Sequence, residues 1–391
     1  MDRIYLDHNA ATPIDPNVLE AMEPYLREIF GNPSSVEHED GHAAARAVAT
    51  ARAQVADAIG ARENEIIFTG SCTEADNLAI FGVARANPDR KHLVTTAIEH
   101  PAILEPARAL EREGWRVTYV PVDAEGQISV SRIADSLCDD TALVSVMAAN
   151  NEVGSLQPIR EIGAVCSERG VIFHTDLAQI AAYSDIDVER DNIHLASLSA
   201  HKAYGPKGVG ALYVRARRPR VKLTPLLLGG GQERGLRPGT LNTAGIVGMG
   251  AAMAIAKRTA KDETKRLSGL CAAFRDAVLG QVPGALLNGH PTERLPNNLS
   301  FSIPGLEPLA LMRRLRDQVS FSASSACATD KVETSHVLLA MFGDTERARG
   351  AFRIAPGRFT TEAQMVAAAT LIIEECVRLR RCETMPQRVT A

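Results

Sequence analysis

Between about residue 40 and residue 215, helical patterns and short apolar runs take turns, and this alternation limits the fold more than any other feature of the chain. Parallel strands cannot be joined by a tight turn. Each needs a crossover long enough to hold a helix, so the pattern predicts βαβ units and a mostly parallel sheet covered by helices on both faces. The runs are "EIIF" (65–68), "HLVTTA" (92–97), "RVTYV" (116–120), "ALVSVM" (142–147), "VIFHT" (171–175), "IHLASLS" (193–199) and "GALYV" (210–214), which makes the sheet seven strands wide. The stretch 40–59 is a representative helix: Val48, Ala51, Val55 and Ile59 recur at helical spacing and Gly60 supplies the stop.

After a long helical stretch at about 244–281 the order changes to strand "LSFSI", helix "PLALMRRLRD", strand "VSFSASSA", helix "TSHVLLAMF", strand "FRIAP" and a last helix at 360–380. The prediction is an α/β protein with a large domain over 16–259 and a smaller α+β domain over 260–391, joined by residues 1–15. At 391 residues and 45% hydrophobic content, the chain can bury a full core in each.

Charge and cysteine content narrow the function. A formal net charge of -4 shows no basic excess, so direct nucleic-acid binding is not expected. No stretch approaches ~18 uninterrupted apolar residues, and "MDRIYLDHNA" lacks the pattern of a signal peptide, which points to a cytoplasmic protein with no membrane contact. The seven cysteines are scattered and include no C-x-x-C, which argues against a disulfide framework and a metal site.

In open parallel sheets, ligands bind beyond the carboxyl ends of the strands, where helix N-termini turn free N–H groups outward. The polar residues at those ends are therefore the candidates. In "FTGSCTEADNLAI", Cys72 and Thr73 open a helix and can wrap a phosphate, although Ser71 or Thr73 can equally be an ordinary helix cap. "AIEHPAI" brings His100, "AANNEVG" Asn151, "VIFHTDLAQ" Asp176 and Gln179, and "SLSAHKAYGPKGVG" Ser199, His201 and Lys202. Taken singly, each reads as a structural residue.

Together they form the inventory of a pyridoxal 5'-phosphate pocket. Asp176 would keep the ring nitrogen protonated, His100 would stack on the ring, and Gln179 and Asn151 would hydrogen-bond its phenolic oxygen. Ser199, His201 and Thr73 would serve the phosphate. The aldehyde needs a lysine that is a neutral amine, hence one partly buried beside other positive charge. Lys202, at the end of a buried strand, meets that condition, whereas Lys207 falls in the turn that follows.

The ordered set "YLDHNAATP", "GNPSS", "TEADNLAI", "EHPAIL", "NNEVG", "HTDLAQ", "SAHKAYGPKGVGALYVR", "GGGQERGLRPGT", "SSACAT" and "FRIAPGRFT" resembles the cysteine desulfurases of the NifS/IscS type, in the class V aminotransferase family. The resemblance runs from residue 5 to about residue 360. It implies the fold-type I architecture of pyridoxal phosphate enzymes, a homodimer, and L-cysteine as the sulfur donor. By motif, Lys202 is the lysine bonded to the cofactor, Asp176 the partner of the pyridine nitrogen, His100 the stacking histidine and Cys327 the thiol that becomes a persulfide. Thr240, in "RPGT", would reach the phosphate of the neighbouring subunit, and Arg353 would grip the substrate carboxylate.

The residues bear these last roles out chemically. A guanidinium offers a two-pronged fit to a carboxylate. Cys327 follows a run of small residues and precedes a polar stretch, so its sulfur is accessible, and a nearby base such as His100 would help to ionise it. Ala11, Gln232, Pro238 and Ala328 depart from the usual motif without removing a group of the covalent chemistry. The length of chain after Cys327 matches members that hand sulfur to an acceptor protein. Iron–sulfur assembly, tRNA thiolation and DNA phosphorothioation systems would all draw on the same pocket. The alternatives are a selenocysteine lyase or aminotransferase of the same fold and, in a different class, a non-catalytic scaffold of a sulfur pathway.

Overall fold

The structure, a computed structural model, describes residues 3–183, 185–323 and 334–384. In chain order its elements begin β1 (Ile4–Tyr5), α1 (Pro16–Arg27), α2 (Glu39–Ala58), β2 (Ile66–Thr69), α3 (Cys72–Ala86), β3 (His92–Thr96), α4 (Pro101–Arg112), β4 (Arg116–Val120), α5 (Val130–Ser136), β5 (Thr141–Ser145), α6 (Ile159–Glu168), β6 (Ile172–Asp176), β7 (Leu195–Ser199) and β8 (Gly210–Val214). They continue with α7 (Thr243–Gln281), β9 (Leu286–Asn288), β10 (Leu299–Ser302), α8 (Pro308–Leu315), β11 (Val319–Ser320), β12 (Ser322–Ala323), α9 (His336–Phe342), α10 (Glu346–Arg349), β13 (Ala351–Ile354) and α11 (Glu362–Thr384).

Seven strands form one sheet in the order β2-β8-β7-β6-β5-β3-β4. All pairs are parallel except those of β8, which runs antiparallel to both β2 and β7. Strands β5, β6 and β7 are buried along almost their whole length, as expected of central strands with helices on each face. Helix α2 ends as the sequence predicts: Gly60 takes φ +67, a left-handed conformation that suits glycine.

A second sheet has the order β12-β13-β10-β9, and β1 pairs in parallel with β11. The run "VSFSASSA" was expected as one strand. Instead, Val319–Ser320 pairs with β1 and Ser322–Ala323 pairs with β13, so the chain changes partners at Phe321. Residues 324–326 of that run lie outside the described residues. Helix α7 spans both cores: Ile246, Met249 and Met253 pack with the large sheet, while Cys271, Phe274 and Val278 pack with Phe301 and Phe352 of the smaller one. Among the described residues no helix is long and apolar enough to cross a membrane.

Candidate active site

A cavity of about 720 Å³ opens at the carboxyl ends of β5, β6 and β7, where α3 and α4 begin. Its walls include Cys72, Thr73, His100, Asn151, Asp176, Gln179, Ser199, His201, Lys202 and Arg353, so residues spread over 282 positions of sequence meet in one place. Thr240 is exposed and stands outside this wall, and Cys327 lies outside the described residues.

The turn before α3 is built to receive an anion. Ser71 is the helix cap, its Oγ accepting from the Glu74 N–H at 3.1 Å, which leaves the first-turn N–H groups of Cys72 and Thr73 without intrahelical acceptors. Across the turn, the buried Ser199 Oγ and His201 Nδ1 have no hydrogen-bond partner in the chain. Burial pushes the His201 pKa down to about 4, so the ring is neutral. Gly210 lets β8 approach: a Cβ there would lie 2.6 Å from the Ser71 carbonyl carbon and 2.9 Å from the Cys72 nitrogen.

Deeper in the cavity, Asp176 ends β6, and its Oδ1 accepts from the Ala178 N–H at 2.8 Å and from the Cys72 thiol at 3.5 Å. Gln179 is locked to the N-terminal segment: its Oε1 accepts from Asn9 Nδ2 at 3.0 Å and its Nε2 donates to the Asn9 carbonyl at 3.1 Å. His100 caps α4, Nδ1 accepting from the Ala102 N–H at 3.1 Å. A nitrogen that accepts carries no proton, so the neutral ring holds its hydrogen on Nε2. Burial lowers the His100 pKa as well, and to take up a proton the ring must give up its cap. This arrangement suits a stacking and donating ring better than the base expected from the sequence.

Lys202 follows β7 in a single tight helical turn, Ala200–Lys202. Its Nζ donates to the carbonyls of Asn9 (2.5 Å) and Ala10 (2.8 Å). Desolvation, with the nearby Arg353 charge second, lowers its pKa from 10.5 to about 8. Lys207, by contrast, is exposed. A lysine near pKa 8 has a useful fraction of neutral amine at physiological pH, which a solvated lysine lacks. Attachment of pyridoxal phosphate to the stripped protein is therefore expected to speed up as the pH rises and to level off above about 8, followed by the absorbance of the bound cofactor. A rate still climbing at pH 10 would mean a solvated lysine.

Arg353, on β13, reaches the cavity from the smaller sheet. Its NH1 donates to the Asn151 carbonyl at 2.7 Å, and its NH2 to Asp7 Oδ1 at 2.7 Å and Ser322 Oγ at 3.3 Å. Its Nε is buried with no acceptor. Leaving a buried donor unsatisfied costs about 1–3 kcal/mol, and the charge-assisted bond of a bound carboxylate would remove that cost. Sequence reasoning missed the support around this group. Asp7 and Asn9 lie in the quoted "YLDHNAATP", but nothing local says that one would orient Arg353 and the other hold both Lys202 and Gln179. Glu152, next to Asn151, was missed too. It accepts from Ser335 Oγ, and burial pushes its pKa up to about 7.

These groups fit pyridoxal phosphate: unsatisfied donors for a phosphate, a carboxylate for a ring nitrogen, an imidazole at the ring's face and an amine for an aldehyde. A second cavity of about 760 Å³, between α7 and α11, holds no comparable set of convergent groups.

Comparison with known proteins gives a concordant result. Residues 4–365 match the family model described as aminotransferase class-V. The chain is 46% identical over 378 residues to the cysteine desulfurase IscS of Rickettsia bellii (strain OSU 85-389), covering 96% of this chain and 92% of that one. The solved structure of a NifS-like protein superposes with a TM-score of 0.90 at 36% identity, covering 96% of this chain and 100% of the other. DndA from Streptomyces lividans superposes with a TM-score of 0.76 at 34% identity, over 90% and 99%.

Proposed function

Because this chain belongs to the class-V aminotransferases and, within them, is a pyridoxal phosphate-dependent cysteine desulfurase, we propose that Lys202, Asp176, His100, Arg353 and Cys327 divide its reaction among themselves. The bound cofactor supplies an aldehyde that joins amines and a ring that takes up the electrons of a breaking bond. The chain's own side chains do the rest. Arg353 binds the carboxylate of L-cysteine, His100 covers the ring, and Asp176 holds a proton at the ring nitrogen. Cys72, Thr73, Ser199 and His201 hold the phosphate, while Gln179 and Asn151 border the ring's oxygen.

Lys202 is both the attachment point and, once freed by the incoming amine, the base that moves the proton from the substrate Cα. The Cys327 thiolate then attacks the substrate sulfur: a bond forms between the two sulfurs, the Cβ–S bond breaks, and the carbon left behind is protonated. The sum is L-cysteine plus enzyme thiol giving L-alanine plus enzyme persulfide, which is passed on to an acceptor protein.

The observation that carries this reading is the convergence of the desolvated Lys202 amine, the orphaned Ser199 and His201 donors and the unsatisfied Arg353 Nε on one cavity. The test is to supply L-cysteine and measure alanine, with mass spectrometry to locate the added sulfur atom on Cys327. Amino-group transfer to a keto acid without alanine from cysteine would overturn the assignment of roles. Arg353→Ala is expected to lower kcat/KM for L-cysteine by about two orders of magnitude, mostly through KM, since a charge-assisted pair is worth up to about 3 kcal/mol. Arg353→Lys should recover only part of that loss, because an ammonium cannot make the two-pronged contact.

We further propose a homodimer in which Thr240 serves the partner's phosphate. Exposed apolar side chains support it: Phe30 and Leu228 are more than four-fifths exposed, and Leu26 and Val36 more than half. The division into a large domain, 16–259, and a smaller one, 260–391 with 1–15, is supported by the two separate cores and by the β1–β11 pair.

A further inference from the structure

Asp76 is a buried acid that the reaction described above does not use. It lies on α3, one turn after Cys72, and is 1% exposed. Oxygens of Asp76 and Asp176 and the Cys72 sulfur all lie within 4.8 Å of one another. Asp76 Oδ1 has no hydrogen-bond partner.

The elements packed around this cluster bring little positive charge. On β6, His174 places Nε2 3.7 Å from Asp76 Oδ1, but both ring nitrogens are engaged by hydroxyls, Ser197 Oγ at 3.0 Å and Ser145 Oγ at 2.9 Å. Complete burial keeps that imidazole neutral. The loop before α4 adds the buried Glu99, another acid, and the His100 ring described above. Among the described residues only the Lys202 amine offers positive charge here, and attachment of the cofactor consumes it. Two ionised carboxylates cannot share such a site, so the pair keeps one proton. Asp176 already accepts from the Ala178 N–H and the Cys72 S–H, whereas Asp76 draws only on the Ser197 hydroxyl and keeps one oxygen, Oδ1, with no donor. The charge therefore settles on Asp176 and the proton on Asp76.

We propose that Asp176 works as one member of a buried cluster of three in which Asp76 and Cys72 both keep their protons, so that a single negative charge, on Asp176, faces the ring nitrogen. Asp76 and Cys72 are thereby positioning residues. Asp76 limits the charge behind the ring to one, and the Cys72 S–H tempers the basicity of the carboxylate that receives it. The thiol in the cavity is also kept unreactive, because burial first and the adjacent charge second oppose its ionisation. The inference deepens the proposed role of Asp176 and rests on it for its meaning, but the protons themselves can be counted without the cofactor.

The test is difference infrared spectroscopy on the full-length chain, stripped of cofactor and reloaded. The wild-type minus Asp76→Asn spectrum should show the carbonyl stretch of a protonated carboxyl. The wild-type minus Cys72→Ala spectrum should show an S–H stretch lowered by hydrogen bonding, which Asp176→Asn moves back up. Independently, alkylation of Cys72 by iodoacetamide in the stripped protein, read by peptide mass spectrometry, should accelerate at least about fivefold in the double variant Asp76→Asn/Asp176→Asn, because neither carboxylate is left to oppose the thiolate. A carbonyl region unchanged by Asp76→Asn would mean that Asp76 is ionised and would overturn the proposal, as would alkylation of Cys72 indifferent to the loss of both carboxylates. Should pyridoxal phosphate fail to bind the wild type, the reading of the site would fall while the proton count stood.

Discussion

Lys202→Ala is expected to lower alanine formation from L-cysteine by at least about 10³-fold, the scale on which a positioned base and covalent attachment act together. Two losses coincide. The variant has no amine to hold the cofactor's aldehyde, so the absorption band of the lysine-bound form disappears. It also has no group at the end of β7 to take the Cα proton. The other amine in that stretch cannot substitute: Lys207 is exposed, while Lys202 alone of the two donates to the Asn9 and Ala10 carbonyls inside the cavity. Lys207→Ala should therefore stay within about twofold of wild type. A Lys202→Ala protein that kept the band and turned over normally would displace Lys202 from the mechanism.

Cys327→Ala separates binding from sulfur transfer. This variant should hold the cofactor and bind L-cysteine, seen as a change in the cofactor's absorbance, yet form no persulfide and lose at least about 10³-fold in alanine production, because no nucleophile meets the substrate sulfur. Among the described residues the other thiols offer little competition. Cys72 lines the cavity, but burial first and the Asp176 charge second push its pKa well up. Cys166, Cys271 and Cys376 are buried, with pKa values near 12. Cys138, whose pKa is lowered chiefly by its Thr141 hydrogen bond, sits beside the amino ends of β3 and β5, at the opposite edge of the sheet from the cavity. Normal persulfide formation by Cys327→Ala would assign the sulfur step to a different thiol.

Much of this could be read from the residues in order. The seven strands of the large sheet fall within about two residues of their expected limits, because buried parallel strands have little choice but to be short apolar runs between helices. At Ser71 the structure shows the helix cap: one hydroxyl satisfies one N–H, and the remaining first-turn donors have no intrahelical acceptor, as the proposed phosphate role requires. The strand expected over 319–326 went differently, since an edge segment takes whichever neighbour tertiary packing offers.

What the sequence alone determined is the chemistry available: an alternating pattern that places strand ends, and with them Asp176, Ser199 and Lys202, along one edge of a sheet. Local forces set those positions, since hydrophobic periodicity and helix capping act over a few residues. Only the tertiary structure decided how the groups are tuned. Asp7 aims Arg353 from 346 residues away, Asn9 holds Lys202 and Gln179 together, and Asp76 meets Asp176 across the face between a helix and a sheet. Such contacts depend on which faces pack and on how much water they exclude. Desolvation and the proximity of charge are properties of the assembled interior, and no stretch of neighbouring residues carries them.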